Sequence, residues 1–165
     1  ANAPMAGAAG ATMANTAVPT ASGADLKWTA PSHWVAKDAS AVRKGTYTVA
    51  GEGGEAELAI TAFPGAMGGE LANLNRWRGL PQFNLPPVAE SELATAVVRR
   101  EHDGLKIGLV ELTSKGTPAA RLLGAWVPYA GSTWFFKFTG PDALVAKEKA
   151  AFVAFLDSIK PASAP

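Results

Sequence analysis

Thr133-Trp134-Phe135-Phe136-Lys137-Phe138 decides the fold. Successive side chains of a strand point to opposite faces of its sheet, so Trp134, Phe136 and Phe138 face one way and Phe135 the other. A strand that is bulky on both sides belongs inside a sheet covered on both faces. The preceding run, Ala119 to Val127, pairs with it around Pro128-Tyr129-Ala130-Gly131-Ser132.

Two further hairpins lie N-terminal to this one. Thr95 to His102 and Leu105 to Leu112 flank Asp103-Gly104, a dipeptide suited to a type I′ turn. Glu55 to Thr61 alternates, with Ala56, Leu58 and Ile60 on one face, and pairs with Val42 to Val49 across Ala50-Gly51-Glu52-Gly53-Gly54. Helices must then cover the sheet. One is expected after Pro141, capped by Thr139 or Gly140, with Asp142 in its first turn at the positive end of the dipole. Leu144, Val145, Phe152, Phe155, Leu156 and Ile159 form its apolar stripe; Lys147, Glu148, Lys149 and Asp157 are assigned to the outer face, and Pro161 ends it. A second helix is expected from Gly69 to Arg78, with Leu71, Leu74 and Trp77 on one side and Gly79 just past its end. A short helical turn is expected over Glu90 to Leu93. The predicted fold class is α+β, an antiparallel β-sheet sandwiched between helices.

The 165 residues suit one domain, and the cationic and anionic side chains nearly balance, 15 Lys+Arg against 14 Asp+Glu. That balance argues against nucleic acid as a partner, since phosphate binding rests on a clustered cationic surplus. Cysteine is absent, which removes disulfides, thiolate nucleophiles and cysteine-held metal. The chain carries no apolar run of membrane-spanning length. Residues 1–24 hold no charged or aromatic side chain and read as a low-complexity tail or tether, with a single domain over 25–160 and a C-terminal tail over 161–165. A flexible chain of that length spans on the order of 25 to 30 Å. Small-residue tails of this kind lead us to expect a processed, exported protein, periplasmic or attached to a membrane through the tail.

Three pieces, Trp28-Thr29-Ala30-Pro31-Ser32-His33-Trp34, Gly68 to Arg78 and Trp134 to Pro141, resemble uncharacterised bacterial exported proteins and lipoproteins. In its order of elements the chain is similar to the PsbP/Mog1-like α/β/α sandwich. The resemblance implies an exported, non-enzymatic accessory or binding domain.

Residues that carry chemistry point the same way. His33 and His102 are far apart in sequence, and neither Ser114 nor Ser132 lies on a nucleophile turn, so no catalytic, metal or cofactor set is assigned. Gly51-Glu52-Gly53-Gly54-Glu55-Ala56 matches a dinucleotide fingerprint in letters only, because a strand follows it and not a helix. Asn73, Asn75, Arg76, Trp77 and Arg78 form the densest polar and aromatic group, joined by Trp28 and Trp34, whose irregular segment suggests partial exposure. Two readings of this group compete. In one it is a partner-binding surface, Arg and Trp being common at interface hot spots. In the other Trp77 is core, the asparagines bond adjoining loops, and Arg76 or Arg78 pins the Pro81 to Pro87 segment. The preferred function is binding of a partner protein or membrane-associated complex; the alternative is a small-ligand-binding protein with a Trp-lined pocket between sheet and helix, closed by Gly65 to Gly69.

Overall fold

The computed structural model describes residues 15–18 (backbone only), 26–38, 43–65 and 68–162. The strands are β1 (Asn15–Val18), β2 (Leu26–Thr29), β3 (Val35–Lys37), β4 (Arg43–Gly51), β5 (Gly54–Pro64), β6 (Val98–His102), β7 (Leu105–Thr113), β8 (Ala120–Tyr129), β9 (Ser132–Pro141) and β10 (Lys160–Pro161). The helices are α1 (Glu70–Arg78), α2 (Leu93–Ala96), α3 (Asp142–Lys147) and α4 (Lys149–Ser158), with a 3-10 turn over Glu90–Glu92 just before α2.

Seven strands form one antiparallel sheet in the order β3-β4-β5-β9-β8-β7-β6, with β9 at its centre. The two faces of β9 enter two separate cores. Trp134, Phe136 and Phe138 pack with Leu58, Ile60, Leu123 and Ala125 against α3, α4 and β2. Phe135 packs with Trp126, Leu122 and Val110 against α1 and the segment that leads to β6. This is an α+β fold in which helices cover both sides of an antiparallel sheet.

The turns obey their glycines. Asp103 and Gly104 have φ of 51° and 77°, and Ala130 and Gly131 have 52° and 81°, as two-residue type I′ turns require. The second of these shortens the expected five-residue loop, because β8 runs on to Tyr129 and β9 begins at Ser132. Gly53 and Gly54 turn the β4–β5 hairpin at φ of 87° and 137°, so the fingerprint-like letters there are a hairpin turn.

Four expectations change. The strand read as starting at Thr95 starts at Val98, since Leu93-Ala94-Thr95-Ala96 continues the helical turn, whose start is fixed by the Ala89 N–H donating to Glu92 Oε1 at 2.7 Å. Thr139 and Gly140 belong to β9, and Pro141 takes the cap position. The long C-terminal helix breaks at Glu148 into α3 and α4, and Glu148 is buried rather than outward. Gly79 ends α1 at φ −84°, without the left-handed conformation that a C′ glycine supplies.

Of the segment read as a tail, Asn15–Val18 forms an antiparallel pair with β2, and β10 pairs with the other side of β2. Pro161 is therefore in a strand. Residues 1–14, 19–25, 39–42, Ala66, Met67 and 163–165 lie outside the described residues. No helix of the described residues is long and apolar enough to cross a membrane.

Candidate functional site

Trp28 and Trp34 are core residues, which corrects the partial exposure expected of them: 1% and 6% of their surface is accessible. A turn closed by the Trp34 N–H to Pro31 carbonyl bond, 3.1 Å, lets the chain return so that both indoles enter the first core. The Trp28 Nε1–H donates to the Tyr47 hydroxyl at 2.8 Å. The Trp34 ring stacks on Phe138 with centroids 5.3 Å apart, and its Nε1–H donates to Glu148 Oε1 at 2.9 Å. His33 Nε2 donates to the same oxygen at 2.7 Å. Burial pushes the Glu148 carboxyl up, but these two hydrogen bonds and the nearby imidazole outweigh it and hold the group below the usual carboxylate range.

On α1, Asn73, Leu74 and Trp77 are buried. Asn73 Oδ1 accepts from Arg76 Nη1 at 2.7 Å, and the Arg76 guanidinium lies 5.5 Å from the centre of the Phe135 ring. Asn75 brackets Val88, with Nδ2 donating to the Val88 carbonyl at 3.1 Å and Oδ1 accepting from the Val88 N–H at 2.8 Å. Arg78 Nε donates to the Pro86 carbonyl at 2.7 Å. Asn75 and Arg78 thus hold the proline-rich segment along α1. Of the seven candidate residues, Arg76 is exposed, Arg78 and Asn75 are half-buried, and the rest are enclosed.

The early end of β6 leaves a gap that the sequence reading closed. Val98 pairs with Leu109, so Val110 to Thr113 of β7 has no strand on its outer side among the described residues. A cleft of about 480 Å³ follows this edge. Leu109 and Glu111 of β7 face the first core side, and Val110 and Leu112 face the second. The cleft therefore meets Phe152 and Val153 of α4 on one side and Leu74 and Ala96 of α1 and α2 on the other. Val98, at its mouth, is 56% accessible and with Val35 is one of two exposed large apolar side chains among the described residues.

Charges ring the cleft unevenly. Arg100 is bound to both oxygens of Asp157, at 2.8 and 2.7 Å. Lys149 Nζ donates to Glu111 Oε1 at 2.7 Å, and Arg121 bonds the other Glu111 oxygen. Burial pushes the Glu111 carboxyl up, and the Lys149 and Arg121 contacts more than reverse this. Arg78, also on the cleft, has no carboxylate partner among the described residues.

A second, more open cleft of about 430 Å³ lies beside Gly65, Gly69 and Trp126. Trp126 is the one tryptophan among its described lining residues, and its Nε1–H donates to Glu70 Oε2 at 2.8 Å. Glu70 is also forked to Arg99, which ties the start of α1 to β6. Among the described residues no group of three or more metal-ligating side chains comes together.

Sequence reasoning missed the first cleft because it extended β6 over it; the signal was Leu93, Ala94 and Ala96, three good helix formers directly after an expected helical turn. No protein-family model matches the chain, and no curated protein matches it in sequence. Solved structures do match. LpqN of Mycobacterium tuberculosis, described as involved in cell envelope biogenesis, aligns at TM-score 0.56 and 11% identity over 89% of this chain and 90% of its own. Cyanobacterial PsbP from Synechocystis aligns at TM-score 0.56 and 12% identity over 96% of this chain and 97% of its own. At such identities the likeness carries the fold alone, and the fold is PsbP-like.

Proposed function

We propose that the chain is a non-enzymatic accessory domain of the exported space that binds a partner protein through the cleft at the start of β6. One observation carries the reading: a mostly apolar cleft lies along Val110, Glu111 and Leu112, three residues of β7 without a strand on their outer side among the described residues, with an exposed valine beside them. Ligand and partner sites are concave and mostly apolar, with a few polar groups to fix orientation, and volumes of roughly 300 to 1,000 Å³ are common. Arg78 is the member of the α1 group that reaches this cleft, so it is the candidate partner-binding residue we retain there. The uncharged N-terminal segment would tether the domain at a membrane or in a larger assembly. The involvement of LpqN in cell envelope biogenesis and the small-residue composition of residues 1–24 support placement outside the cytoplasm.

The test is a paired purification from the native host of tagged wild type, Val98→Lys and Val35→Lys. Val35 lies on β3, at the opposite edge of the sheet, and serves as the control. The reading expects a protein recovered with wild type and Val35→Lys and lost with Val98→Lys. Equal recovery with all three contradicts it.

The cleft beside Gly65, Gly69 and Trp126 favours a second reading, a small-ligand site. A metabolite screen by tryptophan fluorescence separates the two, since Trp126 lines that cleft and no tryptophan is among the described lining residues of the first.

A further inference from the structure

We infer that the occupant of the first cleft is an extended segment of the partner protein, added to β7 as a further strand over Val110 to Thr113, with an acidic side chain of that segment on Arg78. The inference rests on the cleft being the binding site. Three observations carry it beyond that.

The first is the backbone. In an antiparallel sheet alternate residues direct both N–H and C=O outward, so the uncovered stretch Val110 to Thr113 presents two such residues along its outer edge, at least one of them in the cleft. None of the backbone–backbone hydrogen bonds of turns and loops among the described residues falls on that outer edge. An acyl chain or other apolar ligand lying there would strip water from these groups and return no hydrogen bond. A peptide strand satisfies them, which is the mode of β-strand addition.

The second is the arrangement of the walls. Apolar side chains line the cleft on both sides of the β7 edge, Phe152 and Val153 on one and Leu74 and Ala96 on the other. An added strand sends alternate side chains to the two faces and meets both walls. A ligand with a single apolar surface would use one of them.

The third is charge. Three cations line the cleft, and two are already held, Arg100 by Asp157 and Lys149 by Glu111. Arg78 is anchored through Nε to a backbone carbonyl, which fixes its position and leaves the terminal nitrogens to donate. A planar guanidinium held in this way suits a carboxylate, so an Asp or Glu in the added segment completes it.

The experiment uses the full chain and a displayed library of octapeptides in which apolar and polar positions alternate. Binders selected on wild type are counter-selected on Val98→Lys, synthesised, and titrated against wild type, Arg78→Gln and Val35→Lys. The inference expects enrichment of Asp or Glu at one polar position. It expects Arg78→Gln to weaken binding by about tenfold or more, the scale of one charge-assisted hydrogen bond, with Val35→Lys unchanged. It also expects amide exchange at Val110 to Thr113 to slow in the complex. Binders that depend on Val98 but neither slow those amides nor prefer an acid overturn strand addition and leave the cleft as the site. Loss of the native partner's dependence on Val98, in the purification above, overturns the site itself.

Discussion

Gly124 lies directly beneath the indole of Trp77: a β-carbon at that position would fall 2.3 Å from the Trp77 ring. The same relation recurs one strand over, where a β-carbon on Gly108 would come within 2.6 Å of Trp126. Two glycines inside β8 and β7 therefore let two indoles close down on the sheet, and the rings pack with centroids 6.0 Å apart and planes tilted by 43°. This seating fixes the height of α1 above the sheet, and with it Arg78 on the cleft.

Gly124→Ala should accordingly destabilise the domain. The added methyl meets a ring packed on all sides, and overpacking of this kind costs about 1 to 3 kcal/mol. Chemical denaturation measures it; an unchanged midpoint would mean that α1 rises freely and that the indole does not set its position.

Acid should weaken the tie between the Pro31 to Trp34 turn and the helix break. The folded carboxyl of Glu148 titrates below its unfolded value, so its contribution is complete above the unfolded pKa, about 4.3, and is lost as pH falls through the lower folded value. Glu148→Gln should cost on the order of 1 to 3 kcal/mol at pH 7, the usual range for disturbing a buried charged hydrogen-bond group. The gap between the two proteins should narrow below about pH 4. A gap that is independent of pH would show that the charge is irrelevant.

Trp134 carries the single buried side-chain nitrogen without a partner among the described residues, its Nε1. Trp134→Phe removes that orphan along with some ring volume, so the two effects oppose each other. The expected loss is below about 1.5 kcal/mol, against about 3 to 5 kcal/mol for Trp134→Ala. Thermal unfolding of both variants checks the contrast.

Val98→Lys should leave stability within about 0.5 kcal/mol of wild type, as exposed substitutions away from the core do; Arg78→Gln also removes the bond to the Pro86 carbonyl and should cost about 0.5 to 1.5 kcal/mol. The effect of Val98→Lys should fall on binding alone. A large drop in thermal midpoint for Val98→Lys would mean that the valine is part of the core rather than a docking surface.

Much of this architecture is legible in the sequence because it depends on local rules. The parity of Trp134, Phe135, Phe136 and Phe138 announces two cores, and Asp103-Gly104 announces its turn. What was not legible depends on tertiary partners. Trp28 and Trp34 lie in an irregular segment, and only the return of the chain over the first core encloses them. Glu148 was assigned outward by residue type, although it stands four residues from both Leu144 and Phe152, on the apolar stripe itself. Its burial is tolerated because Trp34 and His33 bring donors from more than a hundred residues away. The cleft was hidden by three residues, Thr95 to Val97, read as strand where the chain is leaving a helix.

The most direct test of the cleft as the binding site is photo-crosslinking from a benzophenone amino acid placed at position 98, in the native host, with position 35 as control. The account predicts a single protein adduct from position 98, reduced in yield when Arg78→Gln is added and absent from position 35. Adducts of equal yield from both positions, or none from position 98 while the partner still co-purifies, would contradict it.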